Sequence, residues 1–380
     1  MSRAILFAEI PCFYAAVERA DDPTLVDRPV IVGGDPRKRG LVQGASEEAL
    51  AAGVMLDQPV REALRLCPEA RTVRTDMKRY REASGRLFVC LRRGFDRLEP
   101  FGLGAAYLDV TGSPDPPEKI ASRLQRIVAE ELGFGLRVGI ASGKFLARLA
   151  AEEAGPCGCY RVDPDRQAEF LSPLPVTRLE GVGDKTAAAL AELGAQRIGQ
   201  LLEIGARPLQ DALGTHGLRI HAYAAGRDDR PVRGARHPQS LSREATLEES
   251  LDLAVLTSLI EDLARRLESD LRAQGLSAGR VALKIRFSDR ATNSRSKTLA
   301  APISAAAEIQ RLAVGLLSHM SAGSRPARGI GIQLGRLQRS EDADRQLDLF
   351  SDDRGGPDSR ILRIRFAAVV PGGPILGPRR

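Results

Sequence analysis

Over residues 280–287, Val281, Leu283, Ile285 and Phe287 alternate with Arg280, Ala282, Lys284 and Arg286. Successive side chains of a strand point to opposite faces, so this period of two demands a strand with one face on a core and a basic face left open. The surroundings are basic as well: residues 271–340 hold twelve Lys and Arg against two acids, whereas the whole chain carries a net charge of only +7. A one-sided basic sheet raises the local potential where a polyanion would lie, which points to nucleic acid. Aromatic residues make up 4% and there is no Trp, so contact would go to the phosphate backbone rather than to stacked bases.

The rest of the chain must supply other domains, because 380 residues exceed one typical domain and suggest two or three. A charged fraction of 28% with 43% hydrophobic residues excludes a disordered acidic chain. No run approaches the ~20 apolar residues of a membrane helix, and Glu9 interrupts the apolar start. The five scattered cysteines suit a reducing compartment, so the expectation is a cytoplasmic protein without membrane contact.

Short strands are predicted at Ile5–Ala8, Val30–Val32, Ala106–Val110 and Leu136–Ile140. Helices are predicted at Glu47–Ala52, Val60–Leu66, 78–97 (through Leu87, Phe88, Leu91 and Phe95), 118–132 and Phe145–Ala154. Pro100-Phe101-Gly102 reads as a turn. From Pro173 helices dominate, and Gly181-Val182-Gly183 before an Ala-rich segment has the pattern of a helix-hairpin-helix whose glycines let backbone amides approach a phosphate. The polar, Arg- and Pro-rich stretch after Asp228 reads as a linker.

Several of these segments, in order, resemble the Y-family translesion DNA polymerases, especially the polymerase IV branch. They are Ile5-Leu6-Phe7-Ala8-Glu9-Ile10-Pro11-Cys12-Phe13-Tyr14, Arg28-Pro29-Val30-Ile31-Val32-Gly33-Gly34, Ala106-Tyr107-Leu108-Asp109-Val110, Val138-Gly139-Ile140-Ala141-Ser142-Gly143-Lys144, the glycine hairpin, and Ser240-Leu241-Ser242-Arg243-Glu244-Ala245-Thr246. The resemblance implies an α+β multidomain fold, a right hand. Palm and fingers would span 1–170 (fingers about 20–75), a helical thumb with the helix-hairpin-helix 171–228, a linker 229–239, an α/β little finger 240–340 and a tail 341–380. It also implies DNA contacts at Gly181, Gly183, Lys185, Arg243, Lys284, Arg286, Arg295, Lys297 and Arg336.

Polymerisation in such a family is two-metal chemistry and needs carboxylates to hold the cations. The resemblance places one acid on the first strand and an adjacent Asp-Glu pair just before the Ala-Tyr-Leu-Asp strand. Here the first position is Glu9, a remnant, and the pair is Gly104-Ala105. Asp109 stands four residues, roughly 13 Å, further along the strand, and Glu99 a similar sequence distance the other way. The triphosphate-holding positions have become Glu47, Leu50 and Gly155, while Phe13 and Tyr14 keep the aromatic floor under the incoming sugar. Repeated loss of groups with one shared task predicts a degenerate, silent centre with no required cofactor, Mg²⁺ entering only if polymerase activity remains.

One further signal lies in the tail. Gln346-Leu347-Asp348-Leu349-Phe350 resembles the pentapeptide by which bacterial proteins dock on the replication sliding clamp, with Gln346 hydrogen-bonding at a pocket rim and Leu347, Leu349 and Phe350 filling a groove. The expectation is therefore a catalytically silent, clamp-docked adaptor. It would bind primer-template or damaged DNA and work beside another translesion or replicative polymerase in damage tolerance, translesion synthesis or induced mutagenesis. Its rivals are an active or residually active error-prone translesion polymerase and a clamp competitor that ignores DNA.

Overall fold

The computed structural model describes residues 3–339 except 94, 96, 235–237, 251, 290 and 321–324, and the side chain of 248. The chain forms two compact units that divide after Arg236.

The first unit begins with strand β1 (Ile5–Glu9), in which Ile5, Leu6, Phe7 and Ala8 are all buried; an uninterrupted apolar strand is what a sheet covered on both faces requires. Next come helix α1 (Phe13–Asp21), strands β2 (Val30–Gly33) and β3 (Val42–Ala45), helices α2 (Glu47–Ala51) and α3 (Val60–Leu66), strand β4 (Arg71–Arg74) and helix α4 (Met77–Leu91). The chain returns through β5 (Leu98–Phe101), β6 (Ala105–Asp109), α5 (Pro117–Leu132), β7 (Arg137–Ala141), α6 (Lys144–Glu153) and β8 (Cys159–Arg161). Five helices follow: α7 (Gln167–Leu171), α8 (Asp184–Glu192), α9 (Ile198–Ile204), α10 (Ala206–Leu213) and α11 (Thr215–Ala224).

The main sheet has the order β5-β6-β1-β7-β8, with only β7 and β8 parallel, and a smaller sheet has the order β3-β2-β4. Leu6, Ala8, Ala106 and Leu108 pack against α1, α4 and α5 through Val17, Leu87, Leu91, Ile120 and Leu124. The other face carries Ile5, Phe7 and Tyr107 against Phe145 and Leu149 of α6. That core runs on without a break into Leu190, Leu201, Leu209 and Ile220 of the later helices.

Three sequence expectations change. The helix predicted to residue 97 stops at Leu91, although Phe95 still packs on the core; the apolar spacing was a core signal rather than a helical one. The expected Pro turn at 100 is part of β5, an edge strand whose outer side tolerates a missing N–H. The predicted linker is docked through its first residues. Asp228, with a side chain 1% exposed, accepts hydrogen bonds from Phe145 N at the start of α6 and from Arg230, while Arg230 pairs with Glu180 and Arg3 donates to the carbonyls of 228 and 230. Val232 is buried, and Arg233 N donates to Glu99.

The second unit is a sheet of order β11-β10-β12-β9 with all pairs antiparallel: β9 (Ser240–Ser250), β10 (Leu276–Phe287), β11 (Thr292–Ile303) and β12 (Ala327–Arg339). Helices α12 (Leu253–Gln274) and α13 (Ala306–Leu317) cover one face. Val281, Leu283, Ile285 and Phe287 meet Leu263, Leu267, Ile309 and Ala313 there, as the alternation requires.

Candidate functional site

Glu9 ends β1, and the two neighbouring strands fix what stands beside it: Ala105 on β6 and Arg137 on β7 are its register partners. The pairing continues one step further, with Ile10 N donating to Gly104 O at 2.9 Å. These residues close one end of a cleft of about 440 Å³, walled by Phe13, Tyr14, Phe101 and the exposed Leu50 and Leu56. Arg137 Nε and Nη2 both donate to Glu9 Oε2, at 2.9 and 2.6 Å, and both side chains are less than a third exposed. A charge-assisted two-donor pair of this kind neutralises the carboxylate in place.

Could this cleft hold two divalent cations? A hard cation wants several oxygen ligands, carboxylates above all. Among the described residues Glu9 is the only acid lining the cleft, and it is already bonded to a guanidinium. Burial, aided by the charge of Glu47, pushes the Cys12 thiol up to about 11, so it stays protonated at neutral pH. The two alternative acids are committed elsewhere. Glu99 accepts from Lys144 Nζ and Arg233 N, each at 2.7 Å. Asp109 pairs in register with Ile5, at the far end of β1, and accepts from Thr111 N. The residues present do not fit a paired-cation site, and among the described residues no group of three or more His, Cys, Asp or Glu is placed to hold a metal.

The glycine at 104 has a steric partner. A Cβ built there would lie 2.7 Å from Cβ and Cγ of Phe13, so the ring occupies the room that any larger residue needs. Tyr14 stacks on Tyr80 with centroids 4.4 Å apart, and a Cβ at Gly44 would lie 2.9 Å from Tyr14 Cδ2. Both aromatics therefore serve the core as well as the cleft. Glu47 sits exposed in the first turn of α2, and Gly155 follows α6 with φ +70° in open space, so neither position offers a cation to a phosphate.

Among the later helices, Gly181 and Gly183 form the turn ahead of α8 and Lys185 is exposed in its first turn. His216 bonds the Gly181 carbonyl at 3.1 Å and is itself contacted by Arg219 at 2.9 Å.

In the second unit the register sorts the expected cations. Arg280, Lys284 and Arg286 lie on the open face beside Thr298, Ser294 and Thr292 of β11. Arg295 and Lys297 pair with Leu283 and Val281, and so have the opposite parity at the sheet edge. Arg243 also leaves that face, forming a two-donor pair with Asp270 of α12 at 2.7 Å. Arg336 lies on β12 with φ +51°, between Gly335 and Leu337, which pair with Arg280 and Ala278 of β10. The charge count over 271–340 grouped the cations within it because it does not see parity. It also missed Arg137 and Glu244, whose partners depend on strand pairing; adjacency to Val138-Gly139-Ile140 and to Arg243 was their only sequence signal. Gln346, Leu347, Leu349 and Phe350 lie outside the described residues.

Comparison with known proteins gives a consistent picture. Residues 9–152 match the impB/mucB/samB family and residues 238–349 its C-terminal domain. DNA polymerase IV of Halorhodospira halophila is 37% identical over 353 residues, covering 92% of this chain and 98% of the relative. DNA polymerase IV of Ralstonia nicotianae is 38% identical over 298 residues, 76% of this chain and 82% of the relative. A chimeric Y-family DNA polymerase superposes with a TM-score of 0.79 at 24% identity, covering 89% of this chain and all of that one. An insertion ternary complex of Dbh DNA polymerase gives 0.69 at 24% identity with the same coverage.

Proposed function

The chain belongs to the impB/mucB/samB family of Y-family, polymerase IV-like proteins, and from that premise we propose that it binds primer-template DNA without adding nucleotides to it. The observation that carries this reading is the carboxylate inventory of the cleft. The positions flanking the strand end are Gly104 and Ala105, and the remaining acid, Glu9, is neutralised by Arg137. Without paired carboxylates the primer hydroxyl has nothing to activate it, and without hydroxyl or cationic donors at 47, 50 and 155 a triphosphate has little to hold it. The basic open face of the second unit supports a contact with the DNA backbone. With the tail pentapeptide, the role is that of a clamp-docked adaptor in damage tolerance.

A second reading is favoured by the relatives themselves, which carry the name DNA polymerase IV across nearly the whole chain: an active translesion polymerase. Primer extension with Mg²⁺ or Mn²⁺ at high protein concentration separates the two. The silent reading expects no template-directed product, whereas product that disappears in Glu9→Ala establishes the polymerase. Restoring acids at both 104 and 105 is compromised by Phe13, so Ala105→Glu with Arg137→Ala is the cleaner gain-of-function variant.

A further inference from the structure

On the open face of the second unit, Lys284, Gly331 and Glu244 form one row across β10, β12 and β9, and Arg286, Gly329 and Thr246 form the next. Two strand spacings separate the backbones of Lys284 and Glu244 by roughly 10 Å, so their side chains meet only if nothing rises between them. Nothing does. A Cβ at Gly331 would stand 2.6 Å from Glu244 Cγ, and one at Gly329 about 3.1 Å from Arg286 Nε. The two glycines make a trough over β12, and Glu244 lies across it, with Oε1 3.8 Å from Lys284 Nζ and Oε2 3.1 Å from Arg286 Nη2.

Over the row of Lys284, Gly331 and Glu244 the trough encloses about 340 Å³, and its lining includes the donors Arg280, Ser242, Ser294, Arg295, Ser296 and Gln333 beside three apolar residues. Among the described residues Glu244 is the only acid lining it. Its side chain and both partners are more than 40% exposed, and exposed pairs of this kind are weak and easily exchanged. A carboxylate placed between two cations in a cradle of hydroxyls and amides offers the same chemistry as one phosphodiester.

We propose that Glu244 is an internal competitor for DNA phosphate: it occupies Lys284 and Arg286 in the free protein and must swing aside for the backbone to enter the trough. The proposal rests on the reading that this face meets DNA. It gives the glycines at 329 and 331 a purpose, since a side chain at either would obstruct both the carboxylate and the phosphate.

The test is the affinity of the full chain for a primer-template duplex, by fluorescence anisotropy at two salt concentrations. The variants are Glu244→Gln, Lys284→Ala with Arg286→Ala, and all three together. Glu244→Gln keeps the shape and removes the charge; it should tighten binding by roughly threefold to tenfold at low salt and steepen the salt dependence by about one to two phosphate contacts. The gain should vanish in the triple variant. Unchanged or weaker binding by Glu244→Gln, with clear weakening by the double alanine variant, overturns the competitor role while leaving the DNA face intact. No effect of the double alanine variant overturns the DNA reading of the face, and the proposal with it.

Discussion

Two carboxylates, one in each unit, are neutralised by cations on neighbouring strands, and they differ in how tightly. Glu9 meets Arg137 on the strand directly beside it, through two donors, in a cleft where the side chains are 27% and 21% exposed. Glu244 reaches across an intervening strand to Lys284 and Arg286, with exposures between 42% and 47%. The first pair is a fixture and the second a latch. On the readings proposed above, the same chemical pairing closes a site in one place and holds a site ready in the other, with water access deciding which.

A third carboxylate sets the upper end of that scale. Asp228 is almost fully enclosed; burial alone would raise its pKa, but hydrogen bonds from Arg230 and Phe145 N outweigh it and hold the group below its ordinary 3.8. Asp228→Asn should therefore have the largest effect on stability, about 3 kcal/mol in urea unfolding. A folded pKa below the unfolded one adds stability that is complete above about pH 4 and fades as pH falls through the folded value. The variant's deficit should accordingly shrink only in acid; a deficit constant down to pH 2 would contradict the assignment. Next comes Arg137→Ala, which strands Glu9 and should cost about 1–2 kcal/mol. Glu244→Gln should change stability by less than about 0.5 kcal/mol. If the last two cost the same, the distinction between fixture and latch fails.

Much of this was legible in the chain. The strand read at Ile5–Ala8, which extends to Glu9, and the alternation at 280–287 follow from local pattern, and the sequence itself shows Gly104 and Ala105 rather than acids just before Ala106-Tyr107-Leu108-Asp109. What was not legible depends on register. Arg137 is separated from Glu9 by 128 positions and becomes its partner only because β7 flanks β1. Likewise Arg295 and Lys297 look equivalent to Lys284 in a charge count, but in register they stand opposite Leu283 and Val281. Arg230 looks like a linker charge, and only the fold brings it to Asp228 and Glu180.

The ion pair in the cleft also predicts a directed rescue. Arg137→Ala with Ala105→Glu should gain a Mn²⁺ site that Glu9→Gln abolishes, whereas Ala105→Glu alone, with the guanidinium still in place, should gain little.

The most direct measurement is a Mn²⁺ titration of the unaltered full chain with primer-template DNA and a nucleoside triphosphate, followed by electron paramagnetic resonance. A cleft closed by Arg137 gives no stoichiometric site that depends on Glu9. Spin-coupled paired Mn²⁺ that is lost in Glu9→Gln would show that the cleft assembles the cations after all.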